Sequence, residues 1–219
     1  LPLAVLAELR LRQGRTEEAE KLLHGMEDEP AAFATIVRLH LERGNLEHAG
    51  AMLDRRAAHA PEDPEVLMLG GELALAEADP KAATTAAERL AAVARKLARA
   101  DLEAEAALLA GEAAAHPAAP RSTAGGPASD AEHHLVDAVA RFAALDFPYE
   151  EARARLALAR VQAAAGSPFA LASARSAREV FERLREAPLP LDDQPGEPRT
   201  YANFCAVNHT PVDTEKLLS

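Results

Sequence analysis

Few side chains in this 219-residue chain are placed to do chemistry. His133 and His134 stand beside Asp130 and Glu132, residue types that ligate metals. Adjacent residues on a helix point about 100° apart, so one ion cannot easily take both imidazoles. The pair reads as solvated helix surface. Cys205 and His209 are four apart, a spacing open to a zinc pair or a thiol nucleophile. A structural zinc wants four ligands, and a nucleophilic thiol wants an activating base held rigidly. The Pro-rich surroundings supply neither. Gly70-Gly71 lies in a helical pattern without phosphate-loop context, which points to close helix approach or a kink rather than nucleotide binding. Arg153, Arg155, Arg160, Arg175, Arg178 and Arg183 form a basic run, but Glu150, Glu151, Glu179 and Glu182 interleave with it. An ion-paired solvent face is favoured over a phosphate-binding strip. His24, His40, His48 and His59 sit singly on different turns and suggest no constellation. The expectation is a protein that is not an enzyme, with no catalytic residues, no cofactor and no metal site.

Composition narrows the class further. Hydrophobic residues make up 48% of the chain but aromatics only 4%, so the apolar content is mostly Ala and Leu. Ala has the best helix propensity, and its small side chain lets helices approach closely. β-branched residues are too few and scattered for a sheet. One cysteine excludes an internal disulfide and suggests a reducing cytoplasm. No apolar run is long enough to span a bilayer, so no membrane partner is expected. The formal net charge of −11 weighs against direct nucleic-acid contact. The chain opens at Leu1-Pro2-Leu3, inside a helical pattern and with no basic leader before it, which reads as a piece of a longer protein.

The organising signal is a recurrence of small residues. Gly14 is followed five positions on by Ala19, and Gly44 by Ala49. A bulky Leu comes four later, at Leu23 and Leu53, and Pro61 closes one unit. The rhythm returns at Ala78, Ala83 and Ala87, and Gly44 to Ala78 is 34 positions. That is the tetratricopeptide period. The predicted fold is all-α, with antiparallel helix pairs stacked as a tetratricopeptide-like right-handed solenoid.

Ten helices are expected. Thr16 reads as the N-cap of the second, with Glu17 and Glu18 in its first turn and Met26 on its apolar face. Pro64 opens the fifth, and Asp79-Pro80 caps the sixth. Residues 1–115 read as repeats, and 116–129, rich in Pro, Gly, Ser and Ala, as a flexible connector. Residues 130–187 read as the final repeat helices, with Asp130 as the cap of the eighth. Ala170, Ala174, Ala177, Phe181 and Leu184 then form a stripe in steps of three and four. Residues 188–219 are Pro-rich and acidic, and are expected to be extended or disordered apart from a short helix near Thr214–Leu218.

Residues 130–184 resemble the last helical repeats of large LuxR-type, ATP-binding bacterial transcriptional regulators. Pro148-Tyr149-Glu150-Glu151-Ala152-Arg153-Ala154-Arg155-Leu156 and Val180-Phe181-Glu182-Arg183-Leu184 carry the likeness. Ala170 follows Gly166 by four positions rather than five, a departure from the other turns. The resemblance implies a helix-turn-helix soon after Leu184 and an ATP-binding Gly-rich loop; the sequence shows neither. What remains is the segment between them: a non-catalytic protein-interaction or signal-relay module. Its partner would be a protein or peptide, or neighbouring domains of the same chain. The alternative is a free-standing tetratricopeptide adaptor that assembles a protein complex.

Overall fold

The computed structural model describes residues 3–119 and 127–186. Their regular structure is ten α-helices and one 3-10 turn, without strand among the described residues: α1 (Leu3–Arg12), α2 (Thr16–Leu23), the turn at Pro30–Ala32, α3 (Phe33–Glu42), α4 (Leu46–Ala57), α5 (Pro64–Ala76), α6 (Pro80–Leu97), α7 (Ala100–Ala115), α8 (Pro127–Ala144), α9 (Pro148–Ala164) and α10 (Ala170–Glu186). Each odd-numbered helix pairs with the even-numbered one that follows, and each even helix also packs on the next odd one. Consecutive odd helices touch one another along the whole stack. They therefore line the inside of the curve of a tetratricopeptide-like solenoid.

The repeat rests on how the helices end. After α1, α3, α5 and α9, the backbone turns left-handed at Gly14, Gly44, Ala78 and Gly166. The next N–H then reaches back five residues: Arg15 to the Arg10 carbonyl, Asn45 to His40, Asp79 to Ala74, and Ser167 to Gln162. This is the Schellman closure, which satisfies carbonyls the helix leaves unpaired. Ala98 and Asp146 make the same turn after α6 and α8. Ala78 holds the left-handed position 34 residues after Gly44 with φ of 59°, where a Cβ crowds the following carbonyl.

Beyond each turn the small residue meets its neighbours. Ala19, Ala49 and Ala83 are fully buried, with Leu23, Leu53 and Ala87 one turn further along the same faces. Larger side chains close each layer. Phe142, Leu69, Leu90 and Leu108 are all enclosed, and Phe181 packs with Tyr149, Ala152 and Leu156. Glycine provides two further close approaches. A Cβ on Gly71 would stand 2.3 Å from Leu109 Cδ2, and one on Gly111 would stand 2.6 Å from Leu135 Cγ and 3.3 Å from its backbone nitrogen. Gly70, beside Gly71, faces open space. Close approach, rather than a kink, is what this pair provides.

Four local expectations are corrected. Arg15, not Thr16, is the cap residue of α2, and its side chain makes no capping bond, because Thr16 is already helical. Met26 lies beyond the end of α2 at Leu23, although it still packs on that core. The eighth helix begins at Pro127, so residues 127–129 are helix and Asp130 falls in its first turn. Pro fits there because the first turn needs no N–H from it. The turn after Gly166 is longer rather than shorter. Residues 167–169 intervene before α10, and the fully packed small residues become Ala174 and Ala177. Ala170 is only half-buried. Residues 120–126 of the connector, Cys205 with His209, and the whole tail from 188 to 219 lie outside the described residues.

Replacing Ala78 by Gly removes the left-handed Cβ penalty at the cost of a freer unfolded chain. A net stabilisation of about 0.5–1 kcal/mol is expected. Thermal unfolding checks it: the midpoint rises, and a fall contradicts the shared turn geometry. The two classes of glycine separate in the same assay. Gly111→Ala lowers the midpoint, costing about 1–3 kcal/mol of overpacking against Leu135. Gly70→Ala is neutral or gains up to about 1 kcal/mol of helix propensity.

Candidate interaction face

The inner face, formed by the odd helices, carries charge. Glu8, Arg38 and Glu72 stand at one level on α1, α3 and α5, each six residues before its turn. Arg38 lies 3.6 Å from Glu8 and 3.4 Å from Glu72, bridging three repeats. Burial works to strip the Arg38 proton, but Glu72 and then Glu8 more than reverse this, so its pKa is raised and the guanidinium stays charged. Further along, Arg153 of α9 faces Glu105 of α7 at 3.9 Å. Burial again opposes the charge, and Tyr149, Glu105, Glu112 and Glu72 outweigh it. Arg12, in the last turn of α1, reaches Glu150 in the first turn of α9 at 3.5 Å. The first repeat thus meets the fifth across this face.

Carboxylates are in excess. Glu8, Glu72, Glu105, Glu112 and Glu150 face Arg12, Arg38 and Arg153. Burial pushes the Glu105, Glu112 and Glu150 carboxyls above the usual carboxylate range, and neighbouring carboxylates add to it against the arginines. Glu112 makes no hydrogen bond or ion pair among the described residues. It stands on the wall of a cavity of about 490 Å³ between α5, α7 and α9. Leu75, Ala157, Val161 and Ala164 give this cavity an apolar floor, and Arg160 and His116 sit at its rim. A second crevice of about 550 Å³ lies over α5 between α4 and α6, lined by Gly50, Leu53, Gly70, Leu73 and Arg89.

The sequence-predicted residues sort differently from their expected grouping. His133 and His134 lie on α8 with ring centroids 6.1 Å apart, and no cluster of three or more metal-ligating side chains occurs among the described residues. The basic run divides. Arg155 pairs with Glu151, and Arg178 with Glu182, one helical turn along the surface. Arg153 and Glu150, counted with that solvent face, turn inward instead. Helical phase explains this: both lie on the side of α9 that faces α7 and α1. His40 and His48 are not isolated, since their ring centroids are 5.2 Å apart. Burial, then His48 and Arg43, holds the His40 pKa below its ordinary value. Gly14, Gly44 and Gly166 make turns, Ala19, Ala49, Leu53, Ala83 and Phe181 are packing residues, and Pro61 is exposed between α4 and α5. Sequence reading missed the inner charges altogether. The available signal was an ionisable residue six before the turns that follow α1, α3, α5 and α9: Glu8, Arg38, Glu72 and Arg160.

Residues 11–73 match the tetratricopeptide repeat family. This segment runs from the end of α1 into α5 and contains the first two turn-and-alanine units. Comparison with curated proteins and with solved structures gives no match. The chain therefore carries a tetratricopeptide-like region of the kind that serves protein interaction, and no helix among the described residues is long and apolar enough to cross a membrane.

Glu112 tests the electrostatics of this face. A carboxyl whose folded pKa is raised contributes stability that is complete below the ordinary value of 4.5 and is lost as pH rises through the folded pKa. Glu112→Gln removes that loss. Its melting midpoint should exceed that of the wild type at pH 8, and the gain should vanish near pH 4.5. A difference that does not change with pH contradicts the burial of this carboxyl.

Proposed function

We propose that the chain is a non-catalytic protein-interaction or signal-relay module whose working surface is the inner face of α5, α7 and α9. One observation carries this reading. An apolar cavity of about 490 Å³ opens beside the Glu112 carboxyl and the exposed Arg160 guanidinium, on the face formed by the odd helices. Solenoids of stacked helix pairs present extended concave surfaces of this sort to partners. A small apolar pocket with a few convergent polar groups suits one side chain of an extended segment. The occupant is a protein or peptide, or a neighbouring domain of the same protein. Acid excess along the face gives nucleic acid no phosphate-binding strip.

The likeness of residues 130–184 to LuxR-type regulators supports a place between an ATP-binding domain and a DNA reader. There, occupancy of the inner face would alter the curvature of the stack and so the disposition of the attached domains. A free-standing adaptor would use the same face to hold two partners together. The sequences that flank the chain separate these two settings, and a cytoplasmic location suits both.

A peptide library selected on the whole chain tests the surface. Selected peptides should lose at least tenfold in affinity on Arg160→Glu, at the cavity rim. They should be indifferent to Lys81→Glu, at an exposed position on α6. Equal sensitivity to both substitutions, or to neither, places the binding elsewhere.

A further inference from the structure

Tyr149 and Glu150 stand side by side at the start of α9, 2% and 8% exposed. Arg12 lies against both. Its Cζ is 5.3 Å from the centroid of the Tyr149 ring, and Nη1 is 3.5 Å from Glu150 Oε1. An aromatic face attracts a cation, and a carboxylate accepts the N–H groups of a guanidinium, two at once when the planes match. Here the match is incomplete. The Nη1–Oε1 contact is at the long limit of a hydrogen bond, and Glu150 Oε2 is buried without a hydrogen-bond partner among the described residues. Arg12 is also shared, because its Nη2 pairs with Glu8 one turn back on α1. A side chain tethered from its own helix occupies the place that Tyr149 and Glu150 offer.

The pair is well supported from behind. The Tyr149 ring lies 5.8 Å from that of Phe181, within a packed core of Ala152, Leu156 and Ala177. A site on two packed helices keeps its geometry when the occupant changes. The excess of carboxylates on the inner face favours a cation as that occupant. The ring and the unused oxygen favour the planar, two-pronged guanidinium over an ammonium. We propose that Tyr149 and Glu150 form a guanidinium-binding site, that Arg12 fills it when no partner is present, and that an arginine-bearing segment of a protein partner takes the site by displacing Arg12. The proposal rests on the reading of the inner face as the partner-binding surface. It adds the chemistry of the partner and a consequence: binding releases the first repeat from the fifth.

The test is calorimetric titration of the whole chain with acetyl-triarginine amide, and with acetyl-trilysine amide as the charge-matched comparison. Arg12→Met keeps the apolar stem and vacates the site. It should bind triarginine at least tenfold more tightly than the wild type, without a comparable gain for trilysine. Glu150→Gln in the same background should abolish the gain. If Arg12→Met loses helicity, Arg12→Lys carries the test. It keeps the charge and the reach to Glu8 but not the fork, and a smaller gain for triarginine is expected. Equal triarginine affinity in wild type and variants overturns the proposal. So does an equal gain for trilysine, or a gain that survives Glu150→Gln. The Arg160 cavity lies some three helical turns along α9 from Tyr149, so peptides that bind through it would leave the wider reading standing if this one fell.

Discussion

Close approach of helices at small residues is the constraint on which the architecture depends. Ala19, Ala49 and Ala83 have no exposed surface, and Gly71 and Gly111 lie where a single Cβ would strike Leu109 or Leu135. With so few aromatic side chains, the layers cannot be filled by bulk and must be closed by proximity. That is why Ala and Gly recur at fixed offsets from the turns, and why the turns themselves repeat one closure. Each Schellman ending reverses the chain over a few residues and brings the next helix back against the one before it. The stack follows from the repetition.

Stacking brings the odd helices together on the inside of the curve, and this decides the electrostatics. A side chain that would be solvated on an isolated amphipathic helix faces its counterpart in the next repeat. Glu8, Arg38 and Glu72 show this directly: one ionisable group per repeat, alternating in sign, at one level. Buried ion pairs gain their attraction only after losing water, so their contribution to stability is small or adverse. Their effect here is on shape and selectivity. They hold adjacent repeats in register, and the surplus of carboxylates makes the face receptive to a cation. Arg12 supplies one from within the chain.

Much of the fold could be read directly. Gly14, Gly44 and Ala78 announce turns, Asp79-Pro80 a cap, and the Ala-to-Leu spacing a packed face. Asp79 indeed accepts a hydrogen bond from the Ala82 N–H. The helix starts at Thr16 and Pro127 were less legible, because capping residues and first-turn residues have overlapping preferences. The candidate face was hardly legible. Arg153 and Arg155 differ by two positions and look alike in a list of charges, yet one meets Glu105 and the other Glu151. The contact of Arg12 with Glu150 spans 138 positions and depends on the summed rotation of five repeats. No local pattern encodes it.

That long-range contact joins the first helix of the stack to the ninth. It requires that the stack curve enough for the first repeat to meet the fifth. A double-mutant cycle on thermal stability between Arg12→Met and Glu150→Gln measures it directly. Residues in contact couple by about 0.5–3 kcal/mol, whereas distant ones add within about 0.3–0.5 kcal/mol. Coupling of about 1 kcal/mol is expected, with the double variant less impaired than the sum of the singles. Strict additivity would mean that α1 and α9 do not meet, and that the inner face is open from end to end.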